Sequence, residues 1–581
     1  MTHSLGPAAG SVPPGDRPPS RIRPPAGAAP RSRTATLRAS LLPKIVTTFR
    51  QGYRLDDLRA DAVSGLTVAI VALPLAMALA IASGAAPETG LVTVVVAGFL
   101  ISALGGSRYQ IGGPTGAFVV VVSTVIAQHG YDGLILATLM AGVLLVAAGI
   151  ARVGAFMRYI PEPVVTGFTA GIAVIIFSTQ VKEFFGLTLA HLPADFISQW
   201  EALIAAAPTV SPVTTVLSLA ALGLIIGLRR LAPRLPGFLI VVLLGALAVA
   251  VFHLPVATIG SRFGGLSGAI PMPAFPTVTL ARLADLFPSA LTIAFLAGLE
   301  SLLSAVVADG MTGGRHRPNA ELLAQGVANA ASALFGGLPA TGAIARTATN
   351  IRAGARSPVS GVLHAVFVLV VLLVLAPYAA YVPLASLAAI LMVIAWNMSE
   401  VHKMRHLMHA PLGDRILLIS TFGLTVAVDL TVAIAVGVVL AAVIFMHRMA
   451  EAARVDLVED EDGDDTRAGL PAGVEVFDVS GPLFFGAAAR LSDVLDQMGQ
   501  LPRVFILRME DVPLIDATGA GAIAAFVRRC KGGGTRVILC GLRPPVAQVL
   551  SRLGIRPDPV NLSFAPSFSA ALALAAPAST D

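Results

Sequence analysis

The stretch "FGGLPATGAIART" (residues 335–347) decides how this chain folds, because it sets an arginine, Arg346, among runs suited to hydrocarbon. An earlier stretch, "IGGPTGAF" (residues 111–118), repeats its order of paired glycines, a proline and Thr-Gly-Ala. Each opens a segment shorter than the ~20 apolar residues a helix needs to cross a bilayer. The helix around Pro74 precedes the first stretch at nearly the offset at which the helix around Glu300 precedes the second. Two copies of one seven-segment unit account for both matches. An odd number of crossings turns the second copy upside down, the inverted-repeat plan of many secondary transporters.

Composition points the same way. Of 581 residues, 55% are hydrophobic and 13% charged, with a mean hydropathy of +0.81, so most of the chain belongs in lipid. Fourteen apolar segments follow one another at 62–82, 89–104, 114–127, 133–151, 163–181, 212–228, 236–254, 289–308, 321–336, 341–351, 359–377, 384–396, 414–429 and 431–447. The fold class is therefore an α-helical polytopic membrane protein with a 7+7 inverted repeat. Counted from a cytoplasmic start, Arg108, Arg152 with Arg158, Arg229 with Arg230 and Arg234, Arg315 with Arg317, Arg352 with Arg356, and Lys403 with Arg405 fall inside. The even count leaves both termini in the cytoplasm.

Residues 1–45, rich in Pro, Ala and Arg, read as a disordered basic tail whose Arg21, Arg23, Arg31 and Arg33 help set topology or touch anionic lipid. No apolar stretch with a cleavage site follows the tail, so no removable signal peptide is expected. Residues 46–447 form the membrane domain and 448–471 an acidic solvated linker. Its run "EDEDGDD" (459–465) lacks the bidentate Glu that an EF-hand loop needs at its twelfth position. Residues 472–581 alternate strand and helix. "VEVFDVSGPLFF" (474–485), "RVFILRM" (503–509) and "RVILCG" (536–541) read as strands, and 487–498 and "AGAIAAFVRRC" (520–530) as helices, giving a small α/β domain. Cys530 and Cys540 have neither metal-ligand nor redox spacing and read as reduced thiols.

Proline suits the first turn of a helix and glycine the turn before it, so the third and tenth segments read as half-helices starting near the midplane. Their amino ends face one another, each worth about +0.5 of an elementary charge, with backbone donors at Gly116, Ala117, Gly342 and Ala343. Such a place holds an anion. Thr115, Thr341 and Thr347 add hydroxyls. Arg346 adds a full charge at a depth where insertion costs ~2.5–3.5 kcal/mol, so it faces a polar cavity or a partner. The alternative role is to pair with a carboxylate and hold two helices together. Glu300, inside "IAFLAGLESLLSAVVADG" (293–310), is the obvious carboxylate, serving in proton or cation coupling or in a static pair with Arg346. Protonating it raises the site from about +1 to about +2, so a proton and a dianion favour each other's binding. A sodium-coupled version takes Glu300 and Ser304, one helical turn apart, as oxygen ligands.

These residues resemble the SulP family of anion permeases, relatives of the animal sulfate transporters and prestin. The resemblance rests on residues 65–91 ("GLTVAIVALPLAMALAIASGAAPETGL"), 105–122, 158–187 and 300–361, in matching order and spacing, and covers the chain from about residue 45 onward. It implies a core and a gate domain, an anion held between the third and tenth segments, a dimeric assembly and an elevator-like movement. By its motifs Arg346 matches the anion-site arginine and Glu300 the coupling carboxylate. Many members place Gln after the first-segment proline, whereas Leu75 follows Pro74 here, which removes a donor from one wall. The wording looks most like the bacterial branch that includes proton-coupled C4-dicarboxylate carriers, which implies the cytoplasmic (inner) membrane. Relatives also carry sulfate and bicarbonate. The C-terminal domain resembles a STAS domain, with "VPLIDATGAGAI" (512–523) matching the loop before its helix. In soluble relatives the residue matching Thr518, beside Asp516, takes a phosphate; the other reading makes Thr518 the helix N-cap.

The expected function is secondary active anion transport: proton-coupled symport of a dianion such as fumarate, succinate or sulfate, with sodium-coupled bicarbonate symport or anion exchange as alternatives. A membrane-anchored STAS signalling scaffold is the competing class, and a nucleobase carrier is disfavoured by the fixed charge. No G-x-x-x-x-G-K-[ST] loop, hydrolytic constellation, metal cluster or nucleic-acid stripe occurs in the sequence, so no enzymatic activity, cofactor, metal or nucleic-acid partner is expected.

Overall fold

With no water in the bilayer core, the apolar part of the chain satisfies its peptide groups internally, as helices. The computed structural model describes residues 41–155, 161–189, 193, 195–233, 235–428, 430–452, 454–457, 470–484 and 501–576. The tail arginines 21, 23, 31 and 33, Arg158, Arg234, the acidic run 459–465 and the expected helix 487–498 lie outside the described residues.

Every expected membrane segment has a helical counterpart. They are α1 (Leu55–Ala82), α2 (Pro87–Leu104), α3 (Ala117–Ile150), α4 (Glu162–Phe185), α5 (Pro212–Leu231), α6 (Gly237–Phe252), α7 (Leu280–Thr312), α8 (Pro318–Leu334), α9 (Ile344–Arg352), α10 (Val359–Ala379), α11 (Leu384–Met398), α12 (Leu412–Ala427) and α13 (Leu430–Ala452). α3 holds two segments, divided at Gly130, where φ is 69°. Among the described residues nine helical stretches are long and apolar enough to cross a membrane, and α6 is a shorter apolar helix.

The chain divides into two compact units, Met1–Arg158 with Pro212–Ile390 and Tyr159–Ser211 with Leu391–Asp581. In the first, helices meet through small residues. Gly142 of α3 and Gly326 of α8 face each other so closely that a Cβ on either would strike the other's backbone, the close approach small residues allow between membrane helices. The first unit also holds a two-residue ladder between β1 (Gly112–Gly113) and β2 (Thr341–Gly342), with a π-helical turn of α2, Val94–Gly98, beside it.

In the second unit α4 packs along α12, and the C-terminal domain is a five-stranded sheet. β3 (Arg454–Leu457) pairs antiparallel with β4 (Val474–Ser480), which continues in parallel to β5 (Val504–Arg508), β6 (Arg536–Cys540) and β7 (Leu562–Ala565). Alternation along β5 sends Phe505 and Leu507 to the face under α14 (Ala517–Gly532), and Val504 and Ile506 to the face under α15 (Phe568–Ala575). Phe505 is fully buried between Phe477 and Phe526, with ring centroids 5.7 and 5.4 Å away.

Three boundaries differ from the sequence reading. The expected linker 448–471 begins later, because α13 runs to Ala452 and Arg454–Leu457 forms β3, adding a strand to an edge of β4 that would otherwise stand open. The expected tail 1–45 ends earlier: Lys44 opens a short helix, Lys44–Arg50, and its Nζ donates to the Arg315 carbonyl at 2.7 Å. Pro114 and Pro339 do not sit in first helical turns. The chain pairs as a strand just before Pro114 and just after Pro339, and the helices start only at Ala117 and Ile344.

Cys530 and Cys540 are free and buried; burial pushes their thiols up to about 12 and about 11. Both should resist thiol reagents in the native chain. Phe505→Ala is expected to destabilise the C-terminal domain by about 3–5 kcal/mol. The check is modification of the two thiols in increasing urea, with onset at lower urea in the variant; identical curves refute the packing role.

Candidate anion site

The candidate site lies within the first unit. The β1–β2 ladder pairs Gly112 with Gly342 and Gly113 with Thr341, and Ala343 N donates to the Ile111 carbonyl at 2.9 Å. The helices that follow, α3 and α9, start within a few residues of the paired strands, so their amino ends lie together. Gly116 and Ala343 are the residues before their first turns. In the first turn of α3 the amides of Phe118 and Val119 donate to the Thr115 and Gly116 carbonyls, and both dipoles point their positive ends here.

Arg346, the third residue of α9, is buried, with 3% of its surface exposed. Its Nη2 donates to the Pro114 carbonyl, while Nε and Nη1 have no hydrogen-bond partner among the described residues. Gly113 has φ of +149°, and a Cβ there would press on the guanidinium, so glycine is required twice over. On the next residue but one, Thr115 Oγ1 donates to Glu300 Oε2 at 2.8 Å. The two charged residues thus grip neighbouring positions, Pro114 and Thr115, without forming an ion pair with each other among the described residues. The static pair is not what the geometry builds. Two guanidinium nitrogens remain available to an oxyanion.

The other expected hydroxyls have different surroundings. Thr341 Oγ1 donates to the Ala297 carbonyl at 2.8 Å, tying β2 to α7 one turn before Glu300. Thr347 Oγ1 accepts from Ile111 N and from Ser304 Oγ, each at 3.1 Å, so Thr347 and Ser304 link α9 to α7 from fully buried positions. Gly116, Ala117, Gly342 and Ala343 are buried at the crossover. Asn329 of α8 holds Ala340 from both sides, Nδ2 on its carbonyl and Oδ1 on its amide, each at 2.8 Å. Sequence reasoning missed Asn329, with Glu321 and Gln325; their four-residue spacing along an apolar helix was the available signal.

In the C-terminal domain the cap of α14 is Asp516, whose Oδ1 accepts from Gly519 N at 2.7 Å. Thr518 is therefore not the N-cap. It is exposed, in the first turn.

Paired half-helix ends, a buried arginine with unspent donors and a nearby carboxylate define a membrane transporter for anions, joined to an α/β domain. Residues 58–421 match the Sulfate permease family and residues 470–570 the STAS domain. The chain belongs to the sulfate permease family. It is 43% identical over 87% of its length, and 95% of the relative's, to "Putative sulfate transporter YvdB" of Bacillus subtilis (strain 168). It is 30% identical to "Bicarbonate transporter BicA" of Synechocystis sp. (strain ATCC 27184 / PCC 6803 / Kazusa), covering 86% of this chain and 91% of that one. The solved structure of SLC26A9 has the same fold, with a TM-score of 0.83 at 18% identity over 94% of both chains. Gly113→Ala, which strains the backbone and displaces the guanidinium, is expected to lower anion affinity at least about tenfold. Equilibrium binding of labelled sulfate to purified protein measures it; unchanged affinity refutes the contact.

Proposed function

We propose that this chain is a proton-coupled symporter of a dianion, sulfate or a C4-dicarboxylate, held between the amino ends of α3 and α9 and the Arg346 guanidinium. The observation that carries the reading is the buried arginine with two unpartnered nitrogens beside two convergent helix dipoles. Glu300 supplies the coupling. Ionised, it subtracts one charge from the site; protonated, it leaves about two positive charges, which suit a dianion better. Proton and anion thus bind cooperatively, and uptake rises as external pH falls. The resemblance to transporters of this family supports an elevator-like carriage of the site, a dimer, and an inner-membrane setting with both termini cytoplasmic.

Sodium-coupled bicarbonate transport is the second reading, favoured by the likeness to a bicarbonate transporter. In its proposed ligand pair the Ser304 hydroxyl gives its proton to Thr347, which leaves the oxygen's lone pairs for a cation. The exposed Thr518 beside Asp516 is a regulatory phosphorylation position on this proposal, since a phosphate there would sit at the positive end of α14.

Uptake into proteoliposomes tests the reading, with labelled fumarate, succinate, aspartate, sulfate and bicarbonate at two pH values, with and without sodium. Arg346→Ala should abolish uptake of whichever anion the unaltered chain carries, while its elution as folded protein is unchanged. Retained transport removes the arginine from the site. Glu300→Gln should leave uptake independent of pH; a persisting pH response excludes Glu300 as the coupling group.

A further inference from the structure

A second buried carboxylate lies in the first unit, and the mechanism above does not use it. Glu321, in the first turn of α8, has no exposed surface. Its Oε2 accepts from the backbone amides of Gly106 at 2.9 Å and Ser107 at 3.2 Å. Its Oε1 accepts from Ser301 Oγ at 2.9 Å and Gln325 Nε2 at 3.1 Å. A carboxylate so deep is tolerable only with its oxygens occupied by donors, and here four of them hold it in one orientation.

The consequence runs through Ser301, the residue after Glu300 on α7. A serine hydroxyl has one proton to give, and this one goes to Glu321. Its lone pairs are left to accept, from Gln325 Nε2 at 2.7 Å and from Gln110 Nε2 at 2.5 Å. Gln110 stands two residues before β1. Its side chain lies against Gly342 so closely that any Cβ there would overlap its amide. A continuous chain thus runs from Glu321 through Ser301 and Gln110 to the ladder on which both half-helix ends depend. Glu321 accepts the one Ser301 proton, which leaves the serine oxygen to accept from both glutamines.

We propose that Glu321 is a positioning residue for the anion site. Through Ser301 and Gln110 it sets where the Gly112–Gly342 ladder stands against the helix that carries Glu300. This inference rests on the transport reading for its effect on anions, but not for its effect on the ladder. A purely structural role is separable, because Ser301→Ala leaves the bonds from Gly106, Ser107 and Gln325 to Glu321 in place and removes the ones that join Glu321 to Gln110 through the serine hydroxyl.

The test uses the full chain, with each of the five labelled anions offered in proteoliposomes and with amide hydrogen exchange followed by mass spectrometry. Ser301→Ala should raise KM about tenfold with Vmax changed less than about twofold. Glu321→Gln should do the same, and the S301A/E321Q double variant should be no worse than the poorer single one, as members of one chain require. Exchange should quicken in residues 105–118 and 338–347 while the C-terminal domain is unaffected. Unchanged KM in Ser301→Ala, with or without faster exchange, overturns the proposal, as does a loss confined to Vmax. Should the unaltered chain take up none of the five anions, the transport reading falls and exchange alone decides: quickening at the ladder upholds the link, and its absence overturns it.

Discussion

A helix broken within hydrocarbon leaves peptide groups that no water can reach, and in this protein the two breaks answer each other. The ladder between Gly112–Gly113 and Thr341–Gly342 is the smallest sheet that can do so, and the bond from Ala343 to Ile111 extends it by one more amide. Side chains supply the rest: Asn329 closes on Ala340, and Thr347 takes the amide of Ile111. With these peptide groups satisfied, the positive ends of α3 and α9 meet beside the ladder.

The same constraint explains the residue types around the crossover. Glycine stands where a Cβ would meet the Arg346 guanidinium or the Gln110 amide, so the inverted repeats approach at backbone distance. α7 lies across both breaks, bonded to β2 through Ala297, to α9 through Ser304 and to the residue after Pro114 through Glu300. One helix therefore carries both Glu300 and the ties that locate the amino ends of α3 and α9.

Much of this was legible in the sequence. Long apolar runs, arginine placement and the repeated Gly-Gly, Pro, Thr-Gly-Ala order sufficed for the segments, their inverted pairing and the roles expected of Arg346 and Glu300. What escaped was orientation. A threonine's hydroxyl is visible in sequence, but whether it faces a cavity or a neighbouring carbonyl depends on packing, and Thr341 turned out to face Ala297. Short pairings escaped as well: β3 is four residues beside an acidic run, and β1 and β2 are two each, below the length at which alternation speaks. The cap of α14 fell to Asp516, three residues before the Gly519 amide it accepts from, because the helix starts one residue before Thr518.

The single bond from Arg346 to Pro114 has one more consequence. A guanidinium is a flat plate, and clamping one corner to a carbonyl stops it from spinning about its long axis. The unspent N–H vectors of Nε and Nη1 then point along directions that the backbone has already chosen. An oxyanion arriving there is judged by angle as well as by charge, so planar carboxylates and tetrahedral sulfates present their oxygens to the same plate with unequal success. A lysine of equal charge, having no plane, would erase that stereochemical distinction.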